Sequence, residues 1–121
     1  MSSLSKAGAA AINRHFDNRT PGVRASYERL LNAARAFGPF QEEPKKTSIH
    51  LVRRTAFAGI ATQKGALILT VKADSDHPGS AAIRRQKTSA NRWHLEFRLE
   101  RPEDVDPALV RLLEKAYALA A

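Results

Sequence analysis

Apolar residues at every second position, in three separate stretches, constrain this chain more than any other feature. Ile49 and Leu51, then Leu67, Leu69 and Val71, then Leu95, Phe97 and Leu99 alternate with other residue types. Successive side chains of a strand point to opposite faces, so this spacing predicts a sheet with one apolar face. Ser48, His50, His94, Glu96 and Arg98 fall on the other face. A sheet with an apolar face and a face of cations, imidazoles and a carboxylate invites a ligand or partner.

Helical spacing frames those strands. A first helix is expected over 4–16, with Leu4, Ala11, Ile12 and Phe16 near one side, followed by a turn at Asp17-Asn18-Arg19. Thr20 offers an N-cap hydroxyl and Pro21 suits the first helical position, opening a second helix over 20–37. Its stripe is Val23, Tyr27, Leu30, Leu31, Ala34 and Phe37, and Gly38-Pro39 stops it. Asp106 and Pro107 open a third helix over 106–120, with Val105 and Val110 spaced as a hydrophobic staple. Leu109, Leu112, Leu113, Ala116, Tyr117 and Ala120 form its buried stripe.

The sheet is expected over 40–72 and 93–99. Phe40 to Glu42 reads as a short edge strand broken by Pro44, and 47–53 with 56–62 as a hairpin around Arg53-Arg54. Gln63-Lys64-Gly65 turns the chain into Ala66–Lys72, and Trp93 to Leu99 is the last strand, with Trp93 in the core. Between 73 and 91 the pattern vanishes, so a long loop with one helical turn around 81–85 is expected there. The sum is a single α+β two-layer domain over 1–121, with N-terminal helices and an antiparallel meander of four to five strands. The C-terminal helix packs on one sheet face.

The chain has 121 residues, no cysteine and a formal charge of +8. No disulfide or cysteine-based zinc site is available to it. The N-terminus lacks a signal-peptide layout and no segment is long enough to span a membrane, so a cytoplasmic location is expected. The positive field attracts nucleic acid, phosphorylated ligands or acidic protein surfaces, although an arginine-rich proteome gives basic domains without such a role.

Two groups of residues are candidates for contact with an anion. On the sheet, Lys45, Lys46, Ser48, His50, His94, Glu96 and Arg98 are the candidate ligand-binding residues. Lysines and hydroxyls at a strand start can hold a phosphate or carboxylate, and lysines also discourage edge-to-edge aggregation. Imidazole near a carboxylate can act as a general base or as an anion ligand, or pair across strands with a purely structural role. In the loop, Arg84, Arg85, Lys87 and Arg92 are candidate contacts to phosphate or nucleic acid. No spacing of histidines suits a metal, Asp74, Asp76 and His77 lack the further ligands of a calcium loop, and no nucleophile motif is present. No catalytic residue, metal or cofactor is therefore assigned.

Several segments together resemble a family of small bacterial domains, domain-of-unknown-function family 5655. They are His15-Phe16, Phe37-Gly38-Pro39, Lys45 to Ile49, Phe57-Ala58, His94, Pro102 to Asp106, and Leu113 to Tyr117. The resemblance runs from Arg14 onward and implies a domain that stands alone or beside others, with no established activity attached. Relatives often carry a longer, more aromatic hairpin where this chain has Ala58-Gly59-Ile60-Ala61. The reading that emerges is a non-enzymatic module binding an anionic partner through the polar sheet face and the basic loop. A homo-oligomerisation or adaptor domain, with Val52 and Ile68 covered by another protein, is the alternative, and a small histidine-dependent enzyme ranks third.

Overall fold

A computed structural model describes residues 5–121. The helices are α1 (Lys6–Arg14), α2 (Pro21–Arg35) and α3 (Pro107–Leu119). The strands are β1 (Gln41–Pro44), β2 (Ile49–Val52), β3 (Ala56–Gln63), β4 (Ala66–Ala73), β5 (Arg84–Ser89) and β6 (Arg92–Leu99). A short 3₁₀ turn, Pro102–Asp104, leads into α3. The six strands form one antiparallel sheet in the order β1-β2-β3-β4-β6-β5. This is an α+β fold.

Register decides which side chains share a face. Ile49, Ile60, Leu69 and Phe97 are successive cross-strand partners, as are Leu51, Ala58, Val71 and Leu95. All eight are buried, and with Val23, Tyr27, Leu30, Leu31, Leu109, Leu113 and Ala116 they form one core between sheet and helices. The helices therefore cover a single face. Every aromatic side chain of the chain lies in this core or against it, so the opposite face has none.

A chain of aromatic contacts fixes α3 on the sheet. The Phe57 ring meets Tyr117 edge-on at 5.3 Å and Phe40 at 5.8 Å. Such edge-to-face pairs add about 0.5–1.5 kcal/mol to area burial. The Tyr117 hydroxyl donates to the Pro39 carbonyl at 2.9 Å. Gly38 has φ +142°, and a Cβ there would sit 2.5 Å from the Tyr117 oxygen, so both backbone and space require glycine. At the other end, Arg53 lies 4.2 Å over the Tyr117 ring and donates to the Tyr117 carbonyl at 3.1 Å. The Arg54 amide donates to the Ala120 carbonyl, so the β2–β3 turn is anchored to the end of α3.

Helix entries follow the expected chemistry with one exception. Asp106 accepts from the Leu109 amide at 2.8 Å and Pro107 opens α3; Ser5 caps α1 in the same way through Gly8. Thr20 occupies the N-cap of α2 but makes no side-chain capping bond. Its amide instead donates to the Lys64 carbonyl in the β3–β4 turn, and Pro21 alone supplies the local preference. Leu4, expected near the start of the first helix, lies outside the described residues. The buried Tyr27 hydroxyl donates to Glu42 at 2.6 Å; burial, reinforced by that carboxylate, holds its pKa far above the usual phenol range.

Four expectations need correction. Residues 84–89, expected inside a loop with a helical turn, form the edge strand β5 paired to β6. Both faces of β5 are largely exposed, so it shows no apolar alternation; backbone pairing alone makes it a strand. The sheet accordingly has six strands rather than four or five. Pro44 pairs with Ile49 as the last residue of β1, a place an edge strand allows because the missing N–H is not needed. Leu112 and Trp93 are half-buried against the core rather than inside it.

Leu113 has no exposed surface, whereas Leu112 is half-buried. Leu113→Ala should cost about 2–5 kcal/mol of unfolding free energy, and Leu112→Ala only about 1 kcal/mol. Equal losses in denaturant titrations would contradict the orientation of α3.

Candidate functional site

The uncovered sheet face carries a groove of about 320 Å³ along β3. Its floor is the Ala56–Ala61 segment, where Gly59 and Ala61 project little or nothing into the space. Ser48, just before β2, and His50 on β2 form one wall; Thr70 and Lys72 on β4, with His94 on β6, form the other. The cause is a difference in side-chain size between neighbouring strands. Gly59 pairs with His50 on one side and Thr70 on the other, so a residue without a side chain lies between two that have one.

Gly59 is required neither by its backbone nor by its neighbours. Its φ lies outside the left-handed region, and the nearest atom to an added Cβ is His50 Cδ2 at 3.9 Å, an ordinary contact distance. Glycine inside a strand lowers stability by about 0.5–1 kcal/mol relative to alanine. The irregularity in β2–β3 pairing falls between Leu51 and Val52, just beyond the Leu51–Ala58 pair that adjoins His50–Gly59, which is itself regularly paired. Close approach of another group is a common reason for glycine within a strand.

Charge in the groove has one sign. Lys72 and His94 are direct cross-strand partners on this face, and His50 stands on the opposite wall. No carboxylate lines the groove. The Lys72 ammonium donates to Thr55 Oγ1 at 3.2 Å, reaching to the turn that α3 anchors.

The expected site residues divide. Ser48, His50 and His94 reach the groove. Glu96 does not join them: it pairs with Arg84 at 3.6 Å, and three strand spacings of ~4.8 Å put it about 14 Å from His50 along the sheet. That separation rules out a His50–Glu96 dyad. Arg98 is engaged with Gln63 at 2.9 Å and Glu100 at 3.3 Å. Lys45 pairs with Glu43 at 3.4 Å, its carbonyl accepts from His15 Nε2 at 2.9 Å, and Lys46 is exposed in the β1–β2 turn.

The basic cluster also changes meaning. Arg85 is a loop clamp, donating to the Asp76 carbonyl at 2.9 Å and the Ser80 carbonyl at 3.0 Å, with longer bonds to His77 and Pro78. It holds a loop in which His77 has a φ of +43°, a region unfavourable to residues with a side chain. Lys87 is exposed on β5, and Arg92 donates to the Asn91 carbonyl at 2.8 Å.

Lys72, Thr70 and Gly59 were not among the candidates read from the sequence. Thr70 and Lys72 extend the polar alternation opposite Leu69 and Val71, a signal that was present. The gap at Gly59 depends on which residues pair beside it and has no local signature. Among the described residues no group of three or more His, Asp or Glu side chains could hold a metal, and no helix is long and apolar enough to cross a membrane.

An antiparallel sheet with helices packed on one face and a groove along its third strand on the other makes this an α+β domain. The chain belongs to the DUF5655 family, a domain of unknown function, whose model matches residues 12–120. Neither a curated protein nor a solved structure matches it.

The three basic residues at 84–87 should separate on mutation. Arg85→Ala should cost about 1–2 kcal/mol and speed amide exchange over 76–80, because several carbonyls lose a donor. Arg84→Ala and Lys87→Ala should stay within about 0.5 kcal/mol of the parent. A neutral Arg85→Ala in chemical unfolding and hydrogen exchange would remove the clamp.

Proposed function

We propose that this domain binds an anionic ligand in the open-face groove, without catalysing a reaction. The observation that carries the reading is the cross-strand pair Lys72–His94 in a groove with His50 and no lining carboxylate. An ammonium and imidazoles donate to an anion, and charge-assisted bonds are about twice as strong as neutral ones. Catalysis is disfavoured because Glu96, which shares the open face of β6 with His94, is paired with Arg84 at 3.6 Å and does not line the groove.

Among anionic partners, nucleic acid and acidic protein surfaces are less well matched than a small ligand. Single-stranded nucleic acid is gripped by aromatic stacking platforms, and this face has no aromatic side chain. Of the basic segment, Arg84, Arg85 and Arg92 already have partners, so Lys87 remains as a secondary phosphate contact. The cavity volume falls at the lower end of the ~300–1,000 Å³ usual for small-molecule sites.

Acetate and inorganic phosphate added separately should shift the NMR signals of the Gly59 and Thr70 amides and the His50 and His94 rings. Lys72→Ala should weaken acetate binding about tenfold, the equivalent of ~1.4 kcal/mol, without unfolding the domain. Shifts confined to β5, or an unchanged affinity in Lys72→Ala, would contradict the reading.

A further inference from the structure

We infer that the groove accepts a planar aromatic carboxylate: the ring lies on β3 over Gly59 with its far edge towards Ala61, and the carboxylate points the other way along the strands, to the Lys72–His94 pair. This rests on the proposed anion-binding reading and names the ligand class. The floor comes first. Gly59 contributes no side chain and Ala61 a single methyl, so the strip is flat and apolar between taller walls. A flat ring keeps all its atoms in contact with such a strip, whereas a puckered ring leaves gaps and forfeits dispersion energy. The space above Gly59 is bounded by His50 Cδ2, 3.9 Å from the position of an added Cβ, so the imidazole edge borders a ring seated there.

The head group follows from the donors. Lys72 and His94 stand opposite each other on β4 and β6, one ammonium and one imidazole, enough for the two oxygens of a carboxylate. A phosphate would need more. The guanidiniums nearest in the register already have partners: Arg92, two residues from His94 on the same face, donates to the Asn91 carbonyl at 2.8 Å, and Arg84 is held by Glu96 at 3.6 Å. Ladder pairing occupies the backbone of both strands. Glycine at 59 is then explained by the ring's approach, since neither its φ nor crowding requires it.

The test compares four probes by NMR titration and calorimetry: benzoate, cyclohexanecarboxylate, acetate and benzamide. Benzoate should bind at least about tenfold more tightly than acetate, since the ring adds buried apolar area. It should also exceed cyclohexanecarboxylate, and benzamide should be weak because its head is uncharged. Gly59→Val should abolish the advantage of benzoate over acetate without lowering the thermal midpoint, because the added methyls fill the seat while valine favours a strand. Should Gly59→Val not fold, Gly59→Ala, whose Cβ fits, should lower benzoate affinity several-fold and spare acetate. Benzoate no tighter than acetate, with both shifting His94, would overturn the aromatic seat and leave the anion reading standing. Benzamide equal to benzoate would overturn the carboxylate assignment. No response of His50, Thr70 or His94 to any anion would overturn both readings.

Discussion

Pairing of β3 with β2 and β4 is the constraint on which the structure depends. Side chains alternate with a period of two, so a one-residue slip would exchange the faces of a strand. In the observed register Ile60 lies between Ile49 and Leu69 on the helix side, while Gly59 lies between His50 and Thr70 on the open side. Slipping β3 by one would expose Ile60 and take Gly59 off the open face. The apolar residues beneath the helices hold the register, and the register in turn makes the groove. Core packing and the candidate site are consequences of one alignment.

One-sided burial also explains the character of the open face. All aromatic side chains are drawn to the helix side, where Phe57, Tyr117, Phe37 and Phe40 tie the sheet to α3 and to the segment after α2. What remains opposite is small on β3 and polar on its neighbours. An edge such as β5 needs no apolar face, because its ladder to β6 is closed by backbone groups and its exposed arginine and lysine discourage further pairing. Arg85 shows how charge can be structural: its position beside Leu95 directs the guanidinium to loop carbonyls instead of solvent.

Much of the fold was legible in residue spacing. The stripes of α2 and α3, the cap at Asp106 and the alternation in β4 and β6 are signals within one element, and the structure contains each of them, whereas α2 ends at Arg35, before the expected stop at Gly38-Pro39. Strand β5 was not legible, because a strand held only by backbone pairing leaves no apolar period in Arg84-Arg85-Gln86-Lys87. The site was half legible. Alternation alone placed Ser48, His50, His94 and Glu96 on the open face, but only the order of strands reveals that His94 and Glu96 both stand three strands from His50. Gly59 and Lys72 acquire meaning only from their partners His50 and His94.

A crystal structure grown with 4-bromobenzoate tests the central claim most directly, because bromine scatters anomalously and marks its own position. The account predicts an anomalous peak over the Gly59–Ala61 strip, with the carboxylate within hydrogen-bond distance of Lys72 and His94. A well-ordered sheet with the bromine elsewhere, beside β5 or between the helices, would contradict it.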